Sequence, residues 1–566
     1  MTLIAFASVC LSVPLSAWAL LCIHGRLFAG ANHVAPLSSH LLLAAAALCL
    51  VKLNLSLVQK HLFSLRARKL GCSAPPVYPH KDPLFGLDSF VEGVKAVRGH
   101  GLIDLYQRRF QQCGPTYYQL TLGTWTLMTH DADNIKAILG PNMDDWPIDG
   151  PRLLSVLPVL GPGSIFSSNG GTWRAARALL RPHFARRAGD GGDGGDGAGA
   201  DLACFRRHVD RLLAAVRAAG GAPIDAQALL LDMTMDSSTD FLLGRSTDLQ
   251  LAPSAEARRF VADFEYASHE SAWMARLGPA LCRLPHPRLR RAVGRVRGYI
   301  RRYVERAREA TMTTTTTTTA AAAAAAAHEK MTAAGATGGG EVKRPTFLDE
   351  LLRDEAPEEY VVDQVLSILL AGRDTTASAL SSVLYFLARA PEAVEKLRRE
   401  IQTVREDEPS REQLKQLRYL NNVIREALRL FSPVPINARS ARRETVLPRG
   451  GGPDGRQPIL VPKGTPVRWS THAMHRDKAI WGPDADEFRP ERWEGDLRPG
   501  WEYIPFSGGP RICLGQQFAL MQIAYTIFRL FREFQRIDAR DSGPLLIRTN
   551  LTACFPHGCW ISLRRE

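Results

Sequence analysis

Near the C-terminal end of the chain a cysteine sits in a glycine-rich loop, FSGGPRICLG (Phe506 to Gly515), and a helical run, FALMQIAYTIFRLF, follows almost at once. No other feature constrains the fold as tightly. Gly and Pro disfavour a regular element across the loop, so Cys513 is delivered to the N-terminal end of the helix behind it. Free backbone N–H groups and the helix dipole favour a thiolate there, and nearby Arg511 adds positive charge. Gly508, Gly509 and Gly515 lack a Cβ, which lets the backbone lie against a flat ligand. Taken alone, the loop also fits a buried structural cysteine after a turn.

The remaining chain has to enclose such a site. Its 566 residues, 45% hydrophobic and 23% charged, allow one large domain or several ordinary ones. Helical spacing runs from Phe347 to about Ile401, with the longest helix expected over Glu359 to Arg389 and stopped by Pro391. Tyr117 to His130, YYQLTLGTWTLMTH, predicts a hairpin of two short strands. Past Pro433 short strands and Pro/Gly-rich loops lead back to the helix after Gly515. The expected class is therefore mainly α with small β-sheets. There is no alternating βαβ pattern, and GPG at 161–163 lacks the third glycine of a dinucleotide fingerprint, which excludes an evident flavin or nicotinamide domain.

Both low-complexity stretches read as surface insertions. GDGGDGGDGAGA (Gly189 to Ala200, within 188–200) reads as a flexible loop, and the Thr/Ala run with its Gly-rich sequel (311–340) has no apolar face to bury. Lengthening such loops costs on the order of half a kcal/mol per doubling.

The N-terminus predicts a membrane anchor. Met1 to Gly25 holds no Asp, Glu, Lys or Arg, and a second weakly polar stretch reaches Val51; ~20 apolar residues suffice to span a bilayer. A signal peptide fits less well, because the start lacks a positive n-region. Lys52, Lys60, Arg66, Arg68 and Lys69 follow, which places the rest of the chain in the cytosol. We divide the chain into an anchor of one or two spans (1–62), a basic, Pro-rich hinge (63–83) and a catalytic domain (84–566). A net charge of +14 suits an anionic membrane face or an acidic partner. The arginines form no basic tract with interleaved aromatics, so nucleic acid is excluded. Ten cysteines without a CxxC pair or zinc-site spacing read as reduced thiols. His472 and His475 have no third ligand nearby and read as packing residues.

Inside the long helix, AGRDTT (Ala371 to Thr376) places an acid beside a hydroxyl. Gly372 there costs about 1 kcal/mol and a Thr can bond back to a carbonyl, which loosens the helix and makes room for a small ligand. Asp374 and Thr375 together can relay protons, although an exposed polar turn is the plainer reading.

Taken in order, these motifs resemble the cytochromes P450. FSGGPRICLG matches that family's haem loop at Phe506, Gly509, Arg511, Cys513 and Gly515. AGRDTT, EALR (Glu426 to Arg429), FRPERW (Phe488 to Trp493) and Trp173-Arg-Ala-Ala-Arg177 match further family segments. The resemblance implies a P450 fold behind a transmembrane anchor and a bound haem b, with Cys513 as iron ligand. A thiolate on haem iron favours O–O cleavage. It further implies haem contacts from Trp173, Arg177, Arg439, Phe506, Arg511 and Gly515, proton delivery by Asp374 and Thr375, and a structural network of Glu426, Arg429 and Arg492.

AGRDTTA, PVPINARSA (Pro433 to Ala441), RGGGPDG (Arg449 to Gly455) and FSGGPRICLGQQFAL are similar to fungal alkane and fatty-acid hydroxylases. That implies a haem monooxygenase acting at or near the terminal carbon of a long-chain alkane or fatty acid. The alternatives are a biosynthetic monooxygenase on a terpenoid, polyketide or alkaloid, a haem-thiolate rearrangement or peroxygenation, and a non-catalytic haem sensor. Substrate walls are expected from Pro147 to Leu160, Leu229 to Leu281, Leu366, Leu370 and Val434 to Ile436. The resemblance also implies an endoplasmic reticulum membrane location and contact with membrane lipid. Electrons are expected from an NADPH-cytochrome P450 reductase, with cytochrome b5 a second candidate, steered by Arg174 and Arg181.

Overall fold

The computed structural model describes residues 61–188, 197–277, 284–328, 346–352 and 356–565. The expected anchor (1–62) lies almost wholly outside these residues. Among the described helices none is long and apolar enough to cross a membrane.

The chain divides into two units, and the larger comprises residues 77–445 and 462–566. Its early elements include α1 (Leu102–Cys113), β1 (Thr116–Thr121), β2 (Thr124–Thr129) and α2 (Gly150–Leu160). Five helices follow: α3 (Gly170–Ala188), α4 (Gly197–Ala218), α5 (Ala226–Leu243), α6 (Ala255–Leu277) and α7 (Pro287–His328). Then come α8 (Glu358–Leu387), α9 (Arg418–Leu430), β3 (Ile436–Ser440), β4 (Pro466–Ser470) and α10 (Gln516–Glu533). The expected hairpin is β1 with β2, in antiparallel register from Thr116 opposite Thr129 to Thr121 opposite Thr124. It joins a four-stranded sheet in the order β1-β2-β4-β3, with β2 parallel and β3 antiparallel to β4.

Register assigns the side chains of this sheet to two faces. Met128, Arg468 and Ala438 stand opposite one another, while Leu127, Val467 and Arg439 share the neighbouring row. Successive residues of a strand point to opposite faces, so Arg468 and Arg439 lie on different sides of the sheet. Asn437 and Trp469, also paired, fall on the Arg439 side.

At the centre is α8, apolar on almost every side. Val361, Leu366, Leu369, Leu380, Val383 and Leu387 are among its buried residues, and it packs against α5, α2, α7, α9 and α10. Glu358 and Glu359 occupy its first turn, where negative charge complements the dipole. Pro391 opens the next helix, the position where a missing N–H costs nothing.

The GPG of 161–163 is a clasp between α2 and α8. Gly161 ends α2 with φ of 77°, and a Cβ there would lie 2.0 Å from Asp363 Oδ1. Gly163 N–H donates to Asp363 Oδ2 at 2.9 Å, and Arg297 from α7 donates to Oδ1 at 2.7 Å.

Two sequence expectations are corrected. The Gly/Asp segment is not a loop to its end, because α4 already begins at Gly197. The Thr/Ala insertion continues α7 as a helix to His328. Eight consecutive alanines explain this, since Ala is the strongest helix former and needs no apolar face to propagate a helix already nucleated.

In the smaller unit (residues 1–76 and 446–461), a helical stretch at 61–69 ends where Cys72 N–H donates to Ala67 O at 2.8 Å. Ser73 N–H donates to Pro458 O, and Ala67, Cys72, Leu460 and Phe63 pack together. In the larger unit the Pro-rich segment is already anchored at Val77, which bridges to Tyr118, and at His80, whose Nε2 accepts from Leu120 N–H at 2.9 Å.

Candidate active site

A cavity of about 1160 Å³ opens between α8, the Cys513 loop and the four-stranded sheet. Of the expected walls, Ile148 to Leu160, Phe241, Trp273, Leu370 and Val434 to Ile436 supply lining residues. Leu366 does not. It is turned away beside the lining residue Ser367, buried in the cluster of Leu160, Phe264 and Val362. Leu229 likewise packs against the core instead. Phe90, Val97, Leu102, Tyr106 and the Thr549–Thr552 turn also line it. They went unread because their sequence has ordinary amphipathic or turn character, with no signal for a wall.

Cys513 lines this cavity and is accessible through it. Its backbone N–H donates to Phe506 O at 3.0 Å, closing the loop. Gly509 adopts φ of 66°, and a Cβ there would meet Leu139 O at 2.0 Å. Burial pushes the Cys513 thiol up, opposed by the Gly515 backbone N–H and by the Arg177 guanidinium. The cation that acts on the sulfur is thus Arg177, which donates to Ile512 O at 3.0 Å, and not Arg511 as the loop suggested. Arg511 instead lies 4.4 Å over the Trp173 ring and donates to Ser168 O and Asn169 Oδ1.

Around the same cavity stand guanidiniums without a counter-charge. Arg439 stacks on Trp469 at 5.6 Å and donates to Ala438 O at 2.7 Å. Arg152, which no sequence motif marked, donates to Asn437 Oδ1 at 2.6 Å. Among the described residues no carboxylate lies within ion-pairing distance of Arg152, Arg439 or Arg511. Burial pushes Arg152 and Arg511 down to about 10, with Arg152 and Arg177 adding repulsion at Arg511. Arg439 is held well below its ordinary value by burial, then by Arg152 and Arg511. Desolvated cations without anions are costly, so this arrangement fits a flat ligand bearing carboxylates on the sheet side and taking a thiolate on its metal.

On α8 the relay pair splits. Thr375 lines the cavity, its Oγ1 donating to Ala371 O at 2.5 Å, and the helix continues unbroken through Gly372. Asp374 is not among the lining residues. Arg373 donates to its Oδ1 at 3.0 Å and also bonds Glu265 of α6. Burial pushes the Asp374 carboxyl up, against the pull of Arg373.

Glu426, Arg429 and Arg492 meet in the core. Arg429 donates to both Glu426 oxygens at 2.9 and 2.8 Å and to the carbonyls of His475 and Ala485. Arg492 reaches Glu426 Oε1 at 3.3 Å and pairs with Asp484, while Trp493 Nε1 donates to Glu426 Oε2. His475 is buried and accepts from Ile504 N–H at 3.0 Å, a packing role. One cluster that spacing did not mark is Cys204, His208 and Asp240, whose ligand atoms lie within 4.8 Å. Arg207 already pairs with Asp240 at 2.8 Å.

A mainly helical domain that sets a loop cysteine against a cavity ringed by unpaired arginines defines a haem-thiolate enzyme. The chain belongs to the cytochrome P450 family, whose model matches residues 84–553. It is 38% identical to cytochrome P450 monooxygenase himC of Aspergillus japonicus, covering 89% of this chain and 86% of that protein. It is 39% identical to cytochrome P450 monooxygenase fsdH of Fusarium heterosporum, covering 86% and 82%. Cytochrome P450 52E2 of Candida apicola is 36% identical, covering 84% and 88%. The protein is accordingly a P450 monooxygenase that binds haem b through a cysteine thiolate, draws electrons from a redox partner and acts on hydrophobic substrates.

Proposed function

We propose that this monooxygenase hydroxylates a long-chain alkane or fatty acid at or near its terminal carbon. The observation that carries the reading is the apolar lining of the cavity beside the Cys513 loop, to which Leu370, Ile436, Phe241, Leu102 and Val97 contribute and which suits an extended chain. The likeness of AGRDTTA and PVPINARSA to alkane and fatty-acid hydroxylases supports it.

In this reading Cys513 ligates the iron, with Gly515 N–H and Arg177 favouring its thiolate. Trp173, Arg152, Arg439 and Arg511 hold the propionates, and Phe506 closes the loop behind the ligand. When bound, the haem supplies reductive activation of dioxygen, consuming two electrons and two protons per C–H hydroxylated. Thr375 presents a hydroxyl to the cavity and can order water there. Asp374, beside it, holds its proton more readily than an exposed carboxyl and serves as the store behind Thr375. Glu426, Arg429 and Arg492 fasten the core beneath the haem.

Residues 1–62 anchor the chain in the endoplasmic reticulum membrane, 63–83 link anchor to domain, and the substrate enters from lipid. The reductase, or cytochrome b5, docks on the thiolate side, where Arg174 and Arg181 are exposed on α3. A terpenoid, polyketide or alkaloid is the second reading, since a cavity of about 1160 Å³ also holds a bulkier molecule.

The test is a panel of hexadecane, hexadecanoic acid and a diterpenoid, read by the Soret shift of the holoenzyme. The two lipids are expected to shift the band; a shift with the diterpenoid alone overturns the lipid reading. Cys513→Ser is expected to abolish the thiolate-type band of the reduced carbon monoxide complex. An unchanged band would remove Cys513 as the ligand.

A further inference from the structure

Not every arginine on the cavity is accounted for by the haem. Arg468 lies on the sheet face opposite Arg439, Asn437 and Trp469, and therefore opposite the cations assigned to the propionates. Its Nη1 donates to the Tyr106 hydroxyl of α1 at 2.7 Å. Arg276, in the last turn of α6, reaches the same region, close enough to Tyr106 and Arg468 to interact electrostatically with both. All three side chains line the cavity.

These guanidiniums have only neutral partners. Arg276 donates to Ala272 O at 2.8 Å, to Thr549 O and Oγ1, and to Asn550 O at 3.5 Å. Among the described residues, no carboxylate pairs with Arg276 or with Arg468. Their neighbours differ. Arg109, from the same helix as Tyr106, is paired with Glu92, and Arg476 with Asp486. Arg109 keeps its acid although it too lines the cavity, whereas Arg276 and Arg468 have none among the described residues. Burial also pushes Arg276 down to about 10, the mark of a cation held without compensation.

We propose that Arg276 and Arg468, with the Tyr106 hydroxyl, form a second anion site that takes the carboxylate of a long-chain acid, leaving the far end of the chain to reach the iron. The proposal rests on the lipid reading above and deepens it to fatty acids as the substrate class. A guanidinium pair matches a carboxylate in geometry and charge, and Tyr106 still has its proton to donate while accepting from Arg468. Val97, Leu102, Leu105 and Ile436 give the adjoining wall its apolar character. Recognition at one end also explains how an unbranched chain, alike at every methylene, is oxidised at one position: the anchored head sets the register.

The experiment titrates the holoenzyme with hexadecanoic acid, its methyl ester and hexadecane, reading the Soret shift. Wild type is expected to bind the acid about tenfold or more tightly than the ester, as charge-assisted pairing predicts. Arg276→Gln and Arg468→Gln are each expected to weaken the acid by about tenfold while leaving the ester within about twofold, and Arg276→Lys to restore part of the preference. The reduced carbon monoxide spectrum of every variant verifies an intact haem site. Equal affinity for acid and ester in wild type, or equal loss of both in the variants, overturns the anion site and leaves the lipid reading standing. Absence of a shift with all three ligands fails the lipid reading, and the anion site falls with it.

Discussion

A guanidinium taken out of water without a counter-charge destabilises whatever fold holds it, and Arg439 is the clearest instance. Buried beside Arg152 and Arg511, it has carbonyl and amide oxygens for company and no acid among the described residues. Arg439→Gln is therefore expected to act oppositely on the two forms of the protein. The haem-free chain gains stability through relief of repulsion. The loaded protein loses a charge-assisted contact of about 1.5–3 kcal/mol and releases haem faster. Thermal unfolding of each form, with haem transfer to an acceptor protein, measures both, and equal destabilisation of the two forms would contradict the assignment. Cys513, Arg439 and Arg511, which the resemblance marked from the sequence, all line the cavity. The sequence was silent on Arg152, in GPRLLS, whose meaning comes only from Asn437, a neighbour far along the chain that folding brings within 2.6 Å. The same blindness led the loop to suggest Arg511 as the thiolate's cation when Arg177 takes that place.

Among the elements, α8 was the most legible, because a buried helix writes its period into a long stretch of apolar residues. Expected over Glu359 to Arg389, it spans Glu358–Leu387. Periodicity could not say which of two adjacent polar residues faces the cavity. Thr375 does, and Asp374 is tied back to Arg373. Thr375→Ala is thus expected to leave substrate affinity almost unchanged and lower the product formed per NADPH by about tenfold to a hundredfold, within the span of lost proton-transfer catalysis. The checks are the Soret titration and the ratio of product to NADPH consumed with reductase present. A parallel loss of binding would mean that Thr375 is a packing residue. By contrast, the Thr/Ala run gave no sign that it would prolong α7, since composition alone distinguishes a loop from a helix poorly when no face is buried. The GPG at 161–163, set aside as a nucleotide loop, turned out to be shaped by Asp363 of α8.

For the molecule as a whole, acid stability follows from two buried imidazoles, His472 and His475. Burial, then the charge of Arg429, pushes His475 from 6.5 down to about 3, and His472 also lies well below its ordinary value. His475 is neutral when folded and protonated when unfolded between those limits, and His472 is shifted in the same direction. The His475 contribution is therefore complete above pH 6.5 and is lost as pH falls toward 3, at up to about 1.4 kcal/mol per pH unit. Equilibrium denaturation across that range should show the decline, and His475→Gln should flatten part of it. A slope unchanged by that substitution would place the acid sensitivity elsewhere. The four-stranded sheet has a consequence of another kind. Its alternating sides put Arg439 and Arg468 on opposite faces. Substitutions at 438 and 468 change one face of the strand pair and leave 437, 439 and 469 on the other untouched, so the cavity wall can be reshaped on one side while the contacts proposed for Arg439 persist.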